Sequence, residues 1–155
     1  MESQIRRSKL QGLELAAQET EQEEKKIMQK IGRKAGKKAG VKRRKKEDSQ
    51  RKQNRERARE IITRRVEYFA PQVGVTYNRI FIKEQKTRWG SCSSLGNLNF
   101  NWKLILLDTE LLDYVVVHEL AHRKQMNHSA AFWSEVEKVL PDYRERRRRL
   151  REWRG

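Results

Sequence analysis

Apolar positions are spread unevenly along this chain of 155 residues. In residues 1–30, a polar and helix-prone stretch, Ile5, Leu10, Leu13, Leu15 and Ile27 are too sparse to form a strong core-facing stripe. Residues 33–46, RKAGKKAGVKRRKK, are almost all basic or small, and Gly32, Gly36 and Gly40 weaken any helix there. Like charges at this density repel, so the segment is expected to be a flexible linker or a binding arm. From Gln50 the pattern tightens. Ala58, Ile61, Ile62, Val66 and Phe69 recur at helical spacing, which predicts an amphipathic helix over 51–69, ended by Pro71 and followed by a turn at Gly74.

Beyond that turn the period changes. Residues 79–84, RIFIKE, read as a strand, and KTRWGSCSSLGN reads as a loop. Leu98, Phe100, Trp102, Leu104 and Leu106 alternate with Asn99, Asn101, Lys103 and Ile105, the period of two expected of one long strand over 97–106. Asp108 or Thr109 can cap the next helix, which is expected to run buried through LLDYVVVHELAHRKQM and to stop at a left-handed Asn127. Ser129 caps a further helix, AAFWSEVEKVL. Pro141 and Asp142 interrupt, and YRERRRRLREWRG closes the chain as a basic helix. There is no internal repeat.

Composition supports a division at residue 50. Apolar residues are 35% and charged residues 37% of the chain, too polar for all of it to be compact. The apolar residues crowd into the second half, so the expectation is a basic polar arm over 1–50, flexible or an isolated helix, and one compact domain over 51–155. The net charge of +16 favours acidic partners, with nucleic-acid contact through the basic arm and the C-terminal arginines as one reading. No sequence-reading module accompanies the charge, and the plainer reading is that it keeps the chain in solution. A single cysteine, Cys92, excludes an intrachain disulfide and suits a reducing compartment. With no signal-peptide core and no stretch near the roughly 18 apolar residues of a membrane span, the expected address is cytoplasmic, with no membrane contact.

The sharpest chemistry is His118-Glu119-Leu120-Ala121-His122, an H-E-x-x-H motif within a predicted helix. Side chains at i and i+4 sit one turn apart on one face, so both imidazoles can reach one cation at about 2.0–2.1 Å. Glu119 points about 100° round the helix, placed to handle water rather than to bind the metal. His128 is the one remaining histidine. In a continuous helix it would lie about 9 Å further along the axis and roughly 240° round, so the chain must break and turn back, as Met126-Asn127 and a new helix at Ser129 allow. Three unrelated polar residues would produce the same letters by chance, but all three histidines of the chain fall within eleven residues and the context suits a site. One Zn2+ is favoured over iron because no carboxylate facial triad is evident. Zinc-bound water activated by Glu119 would then attack a peptide carbonyl. Two other readings stand beside this one: a metal-dependent nucleoside triphosphate pyrophosphohydrolase, which no phosphate-cradling motif supports, and a nucleic-acid-associated binding protein.

The runs TRWGSCSSLGNLNFNWKLILL (87–107), LLDYVVVHELAHRKQMNHSAAFW (111–133) and PDYRERRRRL (141–150) closely resemble the YgjP-like metallopeptidases, relatives of the SprT-like zincins. The resemblance covers about residues 55–153. It implies an α+β, zincin-like core in which a small sheet packs on an active-site helix, with His118, His122 and His128 as zinc ligands, Glu119 as catalytic acid/base and a peptide or protein as substrate. Relatives often carry a longer β-rich region where this chain has its basic arm.

Within the R-W-G-S-C run, Arg88 is a candidate for contacting an anionic group near the metal. The competing structural reading, which we favour from sequence, is a tight turn between strands with Trp89 filling the core. Cys92 is expected to be a buried small residue rather than a ligand. Asn99 and Asn101 share one face of the 97–106 strand and are candidate substrate contacts if that strand is the edge lining the cleft. Phe132 and Trp133 are expected to pack under the His128 turn, and Tyr143 to be a core or surface residue.

Overall fold

The computed structural model describes residues 2–154; the side chains of Ile5, Leu10 and Leu13 lie outside the described residues. The chain forms two units, Met1–Ser49 and Gln50–Gly155. All described residues of the first belong to helix α1 (Glu2–Val73), which continues into the second. The break expected at the glycines of 33–46 does not occur. The lysines, arginines and alanines around them are strong helix formers, and ion pairs one turn apart add to them: Lys25 with Glu21 at 2.7 Å and Arg43 with Glu47 at 3.4 Å.

In the second unit α1 acquires a buried stripe: Ala58, Ile62, Val66, Phe69, Ala70 and Val73. Pro71 does not end the helix. Its fixed φ suits a helix, its exposed position leaves the carbonyl that lost an N–H partner open to water, and α1 continues to Val73. The stop is made by Gly74 at φ 79°. The amides of Gly74 and Val75 both donate to the Ala70 carbonyl, at 2.9 and 3.1 Å, in a left-handed helix cap.

Three short strands follow: β1 (Ile80–Lys83), β2 (Gly90–Cys92) and β3 (Leu98–Asn101), in the order β1-β3-β2. β1 runs parallel to β3, pairing Ile82 with Phe100, and β2 runs antiparallel to it, pairing Ser91 with Asn99. β2 falls in the segment expected to be loop. The long strand expected over 97–106 ends at Asn101, and Trp102–Leu106 form a short 3-10 helix. Asn101 is the cause. Its buried side chain accepts from the Lys103 amide at 3.1 Å, capping that helix, while its Nδ2 donates to the carbonyls of Gln85 and Arg88 at 2.8 and 3.1 Å.

Helices α2 (Thr109–Ala121), α3 (Ala130–Val139) and α4 (Tyr143–Glu152) complete the unit. α2 is buried almost all round, and Val116, Val117 and Leu120 join Leu98, Phe100, Leu104, Phe132 and Val136 in the fully buried core. Each such side chain contributes about 1.5–3 kcal/mol relative to exposure. Polar clamps fix α2 between its neighbours. Arg65 of α1 donates two parallel bonds to Asp113, at 2.7 and 2.8 Å. Arg149 of α4 pairs with Glu110 and with Asp108 at 3.0 Å. Asp108 occupies the N-cap position, but its carboxylate turns to Arg149 and makes no capping bond, unlike the expectation from sequence.

Candidate metal centre

α2 delivers the first two imidazoles. It ends at Ala121, five residues sooner than the pattern suggests, and His122 is its C-cap. The helix tightens as it ends: Arg123 and Lys124 donate to Leu120 and Ala121, three residues back, each at 3.0 Å. The chain then reverses without a left-handed Asn127, since among the described residues only glycines have positive φ. The reversal is held from outside instead. The Arg123 guanidinium donates to the Thr76 and Ser94 carbonyls at 2.9 and 3.3 Å, and Lys124 pairs with Glu135 of α3 at 3.1 Å. Ser129 caps α3 as expected, accepting from the Phe132 amide at 3.4 Å.

This path brings His128 back over His118. Their Nε2 atoms lie 3.2 Å apart, and the candidate ligand atoms of His118, His122 and His128 all fall within 4.8 Å of one another. Four ligands at about 2.0–2.1 Å from a tetrahedral zinc would stand about 3.3–3.4 Å apart, so the His118–His128 separation fits two corners of such a site. Two imidazole lone pairs facing each other this closely repel unless a cation or a proton lies between them. The tautomers agree with this. With its proton on Nδ1, His122 donates to the Gln125 carbonyl at 3.0 Å and keeps Nε2 as a lone pair; the His118 Nδ1 lies 3.5 Å from the Tyr114 hydroxyl, leaving its Nε2 turned to the cluster. Phe132, buried among the three rings, lies 4.5 Å from His122 and 5.0 Å from the other two between centroids. Trp133 stacks on His128 at 6.0 Å and on Tyr143 at 5.2 Å, which makes Tyr143 a core residue.

Electrostatics keep the site ready for a cation. Burial first, then the neighbouring imidazoles and the charge of Arg147, lowers His118 to about 3, and burial lowers His122 too, so both stay neutral with lone pairs free. Glu119 is buried beside them, and burial raises its carboxyl to about 8. It packs against β2 so closely that a Cβ on Gly90 would stand 3.1 Å from its Cγ and 3.0 Å from the Asn99 carbonyl. Tyr114 is pushed up to about 12, chiefly by burial.

The histidines and Glu119 open onto a cavity of about 510 Å³. One wall is β2 with the preceding Arg88 and Trp89, and another is α4 through Arg147, Leu150 and Arg151. The R-W-G-S-C run is therefore cavity wall and sheet edge rather than a tight turn, and Trp89 is half-buried against Trp153 at 5.3 Å between ring centroids. Arg88, a candidate for contacting an anionic group, borders the cavity; Asn99 and Asn101 are not among its lining residues. They sit on β3, the central strand, while the edge that faces the cavity is β2. Cys92 is half-buried in the wall, raised by burial, and outside the histidine cluster. Sequence reasoning missed Tyr114, Arg123, Arg147 and Arg151. Tyr114 and His118 are one helical turn apart, a signal the pattern did carry; the arginines are placed only by tertiary structure.

The geometry agrees with what is found among known proteins. Residues 7–153 match the family described as YgjP-like, metallopeptidase domain. Two solved structures share the fold, both metallopeptidase zymogens. Abylysin of Pyrococcus abyssi is 28% identical with a TM-score of 0.53, covering 57% of this chain and 90% of that one. Jannalysin of Methanocaldococcus jannaschii is 26% identical with a TM-score of 0.52, covering 59% of this chain and 94% of that one. No curated protein matches the chain. No helix among the described residues is long and apolar enough to cross a membrane. A match over nearly the whole sequence, on a small sheet packed against a helix that carries two of three converging histidines, decides the question: the chain belongs to the YgjP-like metallopeptidase family, with a zincin-like α+β core.

Proposed function

We propose that the chain is a zinc-dependent peptidase in which His118, His122 and His128 hold one Zn2+ and Glu119 is the catalytic acid/base. The observation that carries this reading is the 3.2 Å approach of the His118 and His128 Nε2 atoms, with a buried carboxyl on the adjoining residue. Zinc held there supplies Lewis acidity, polarising a carbonyl oxygen and bringing the pKa of water down toward about 7. The remaining work belongs to side chains and backbone. Glu119 accepts the proton of the attacking water and returns it to the departing amide nitrogen; it follows His118 directly in α2 and borders the same cavity as the three histidines. β2 pairs on one side only, so its free edge offers backbone groups to an extended peptide beside the histidines. Trp89, Val115 and Leu150 add apolar surface to the cavity lining.

The test is Glu119→Gln, assayed by casein digestion with and without chelator and by metal analysis. The expected variant retains one zinc per chain and loses a factor of about 10²–10⁴ in turnover. Turnover within a few-fold of the parent removes Glu119 from the role. A parent chain that purifies without zinc and cannot take it up refutes the metal assignment.

A further inference from the structure

Helix α4 carries six arginines, and they divide into two sets. Arg144, Arg146, Arg148 and Arg149 each lie beside a carboxylate: Glu137 at 4.0 Å, Asp142 at 3.0 Å, Glu145 at 2.6 Å and Asp108 at 3.0 Å respectively. Arg147 and Arg151 make no ion pair among the described residues, and both border the metal cavity. They are four residues apart and so share one face of the helix. Arg88, from the segment before β2, joins them on the cavity wall and is likewise without an ion pair among the described residues. The Arg147 guanidinium is held 4.8 Å over the Trp133 ring, and that ring lies 5.8 Å from His118 and 6.0 Å from His128. The cation is thus fixed one aromatic ring away from two of the imidazoles. The one carboxylate lining the cavity is Glu119, which is buried beneath it.

A chain with 21 acidic residues has neutralised the other arginines of α4 and left unpaired the two that face the cavity. Cations gathered without counter-charge in a concave, partly apolar site focus positive potential into it, and guanidinium forks match a carboxylate bidentately. We propose that Arg88, Arg147 and Arg151 form a carboxylate-binding subsite beside the metal centre. It selects peptides that carry a carboxylate next to the scissile bond, either an acidic side chain or the free C-terminus. This rests on the peptidase reading and adds the substrate class. A peptide is favoured over a nucleoside triphosphate because apolar side chains, Trp89, Val115 and Leu150, line the same cavity as the arginines and no glycine-rich phosphate loop accompanies them.

The experiment uses the full chain loaded with zinc and four matched fluorogenic peptides: Glu or Gln next to the cleaved bond, each with a free or an amidated C-terminus. Binding of the same peptides to Glu119→Gln is followed by fluorescence anisotropy. The expected result is at least about a tenfold gain in kcat/KM and in affinity for the carboxylate over its amide, about 1.4 kcal/mol, which a single charge-assisted hydrogen bond can supply. The Glu/Gln pair and the free/amidated pair report separately which carboxylate is read. Arg147→Gln with Arg151→Gln is expected to erase the preference, and Arg88→Gln, on a different element, to weaken it. None of the three breaks an ion pair, but Arg147→Gln also removes the cation held over Trp133, so unchanged zinc content and denaturation midpoint are required to separate loss of the subsite from loss of packing. Equal cleavage and binding of all four peptides overturns the subsite and leaves the peptidase standing. Pyrophosphate release from nucleoside triphosphates with no peptide cleaved or bound overturns both.

Discussion

Helix α1 contains two stretches that are both strongly basic and differ in where their apolar side chains fall. Between residues 21 and 49 the large apolar side chains are isolated: Ile27, Met28 and Ile31 are 52%, 68% and 58% exposed. Between 50 and 73 the spacing of four brings Ala58, Ile62 and Val66 onto one face, and all three are fully buried. The first stretch is helical through local propensity and pairs such as Lys25–Glu21; the second is helical because its stripe completes a core. Charge does not distinguish them, and spacing does. The histidine cluster lies in the same unit as the second stretch, whose buried stripe belongs to the core that surrounds α2.

The sharpest way to break this comparison is at the metal. His122→Ala removes a proposed ligand whose Nδ1 is already fixed by the Gln125 carbonyl, so the histidine cluster loses both a donor and its anchoring to the turn. The expected outcome is loss of bound zinc and of measurable hydrolysis, read by metal analysis and a peptidase assay. Ile27→Ala, in the first stretch, is expected to leave both at parental levels. A change in zinc content from Ile27→Ala would show that the two stretches are not functionally separate.

A pair of truncations along one helix sharpens it next. Ile62→Ala is expected to cost about 2–5 kcal/mol, because its cavity opens in a closed core. Ile27→Ala is expected to stay within about 0.5 kcal/mol. All four tryptophans, Trp89, Trp102, Trp133 and Trp153, lie in the second unit, so urea denaturation followed by tryptophan fluorescence reads that unit alone. Equal midpoints for the two variants would mean that burial of the 58–66 stripe does not stabilise the core.

The same contrast explains what could be read from the chain beforehand. The convergence of the three histidines was legible because its information is local: an i, i+4 pair on one helix, a break, and a third histidine. The cap at Ser129 and the stripe of α1 were legible for the same reason. What failed depended on distant partners. The period of two over 97–106 is genuine, yet Asn101 bonds to the Gln85 and Arg88 carbonyls and turns the chain into a 3-10 helix. Gly90–Cys92 becomes a strand only because β3 lies beside it. The reversal after His122 needs no left-handed Asn127 because Arg123 reaches across to Thr76 and Ser94. In α4 the i, i+3 and i, i+4 spacing marks Arg146 and Arg148 as paired, but only the tertiary structure places Arg147 and Arg151 at the cavity.

Ion pairs give a smaller version of the comparison. Arg65–Asp113 is bidentate and half-buried, and it joins α1 to the helix that carries the histidines. Asp113→Ala is expected to cost about 1–3 kcal/mol, in the range of hydrogen bonds to charged groups. The cost stays below that of a fully buried pair, because Arg65 still reaches water and stacks over Tyr68 at 4.8 Å. Lys25–Glu21 is exposed at both ends, and Glu21→Ala is expected to change the denaturation midpoint too little to measure. Half-molar salt should leave the first difference largely intact, since burial limits screening. Loss of the Asp113→Ala effect in salt would show that the clamp behaves as a surface pair.

The smallest effect tests why the first stretch is a helix at all. Gly32, Gly36 and Gly40 follow at intervals of four, and a Cβ built on any of them meets nothing within 4 Å. If propensity alone holds this stretch, Gly36→Ala with Gly40→Ala should stabilise it by about 1 kcal/mol per site, having no packing to disturb and removing backbone freedom from the unfolded chain. The readout is far-ultraviolet circular dichroism: helical signal should rise and its loss on heating move upward. The tryptophan-reported midpoint should not move, because the buried stripe begins at Ala58, well beyond the substituted turns. A drop in helicity would mean that the glycine face is covered by something a methyl group displaces, and the first stretch would then owe its helix to packing after all, as the second does.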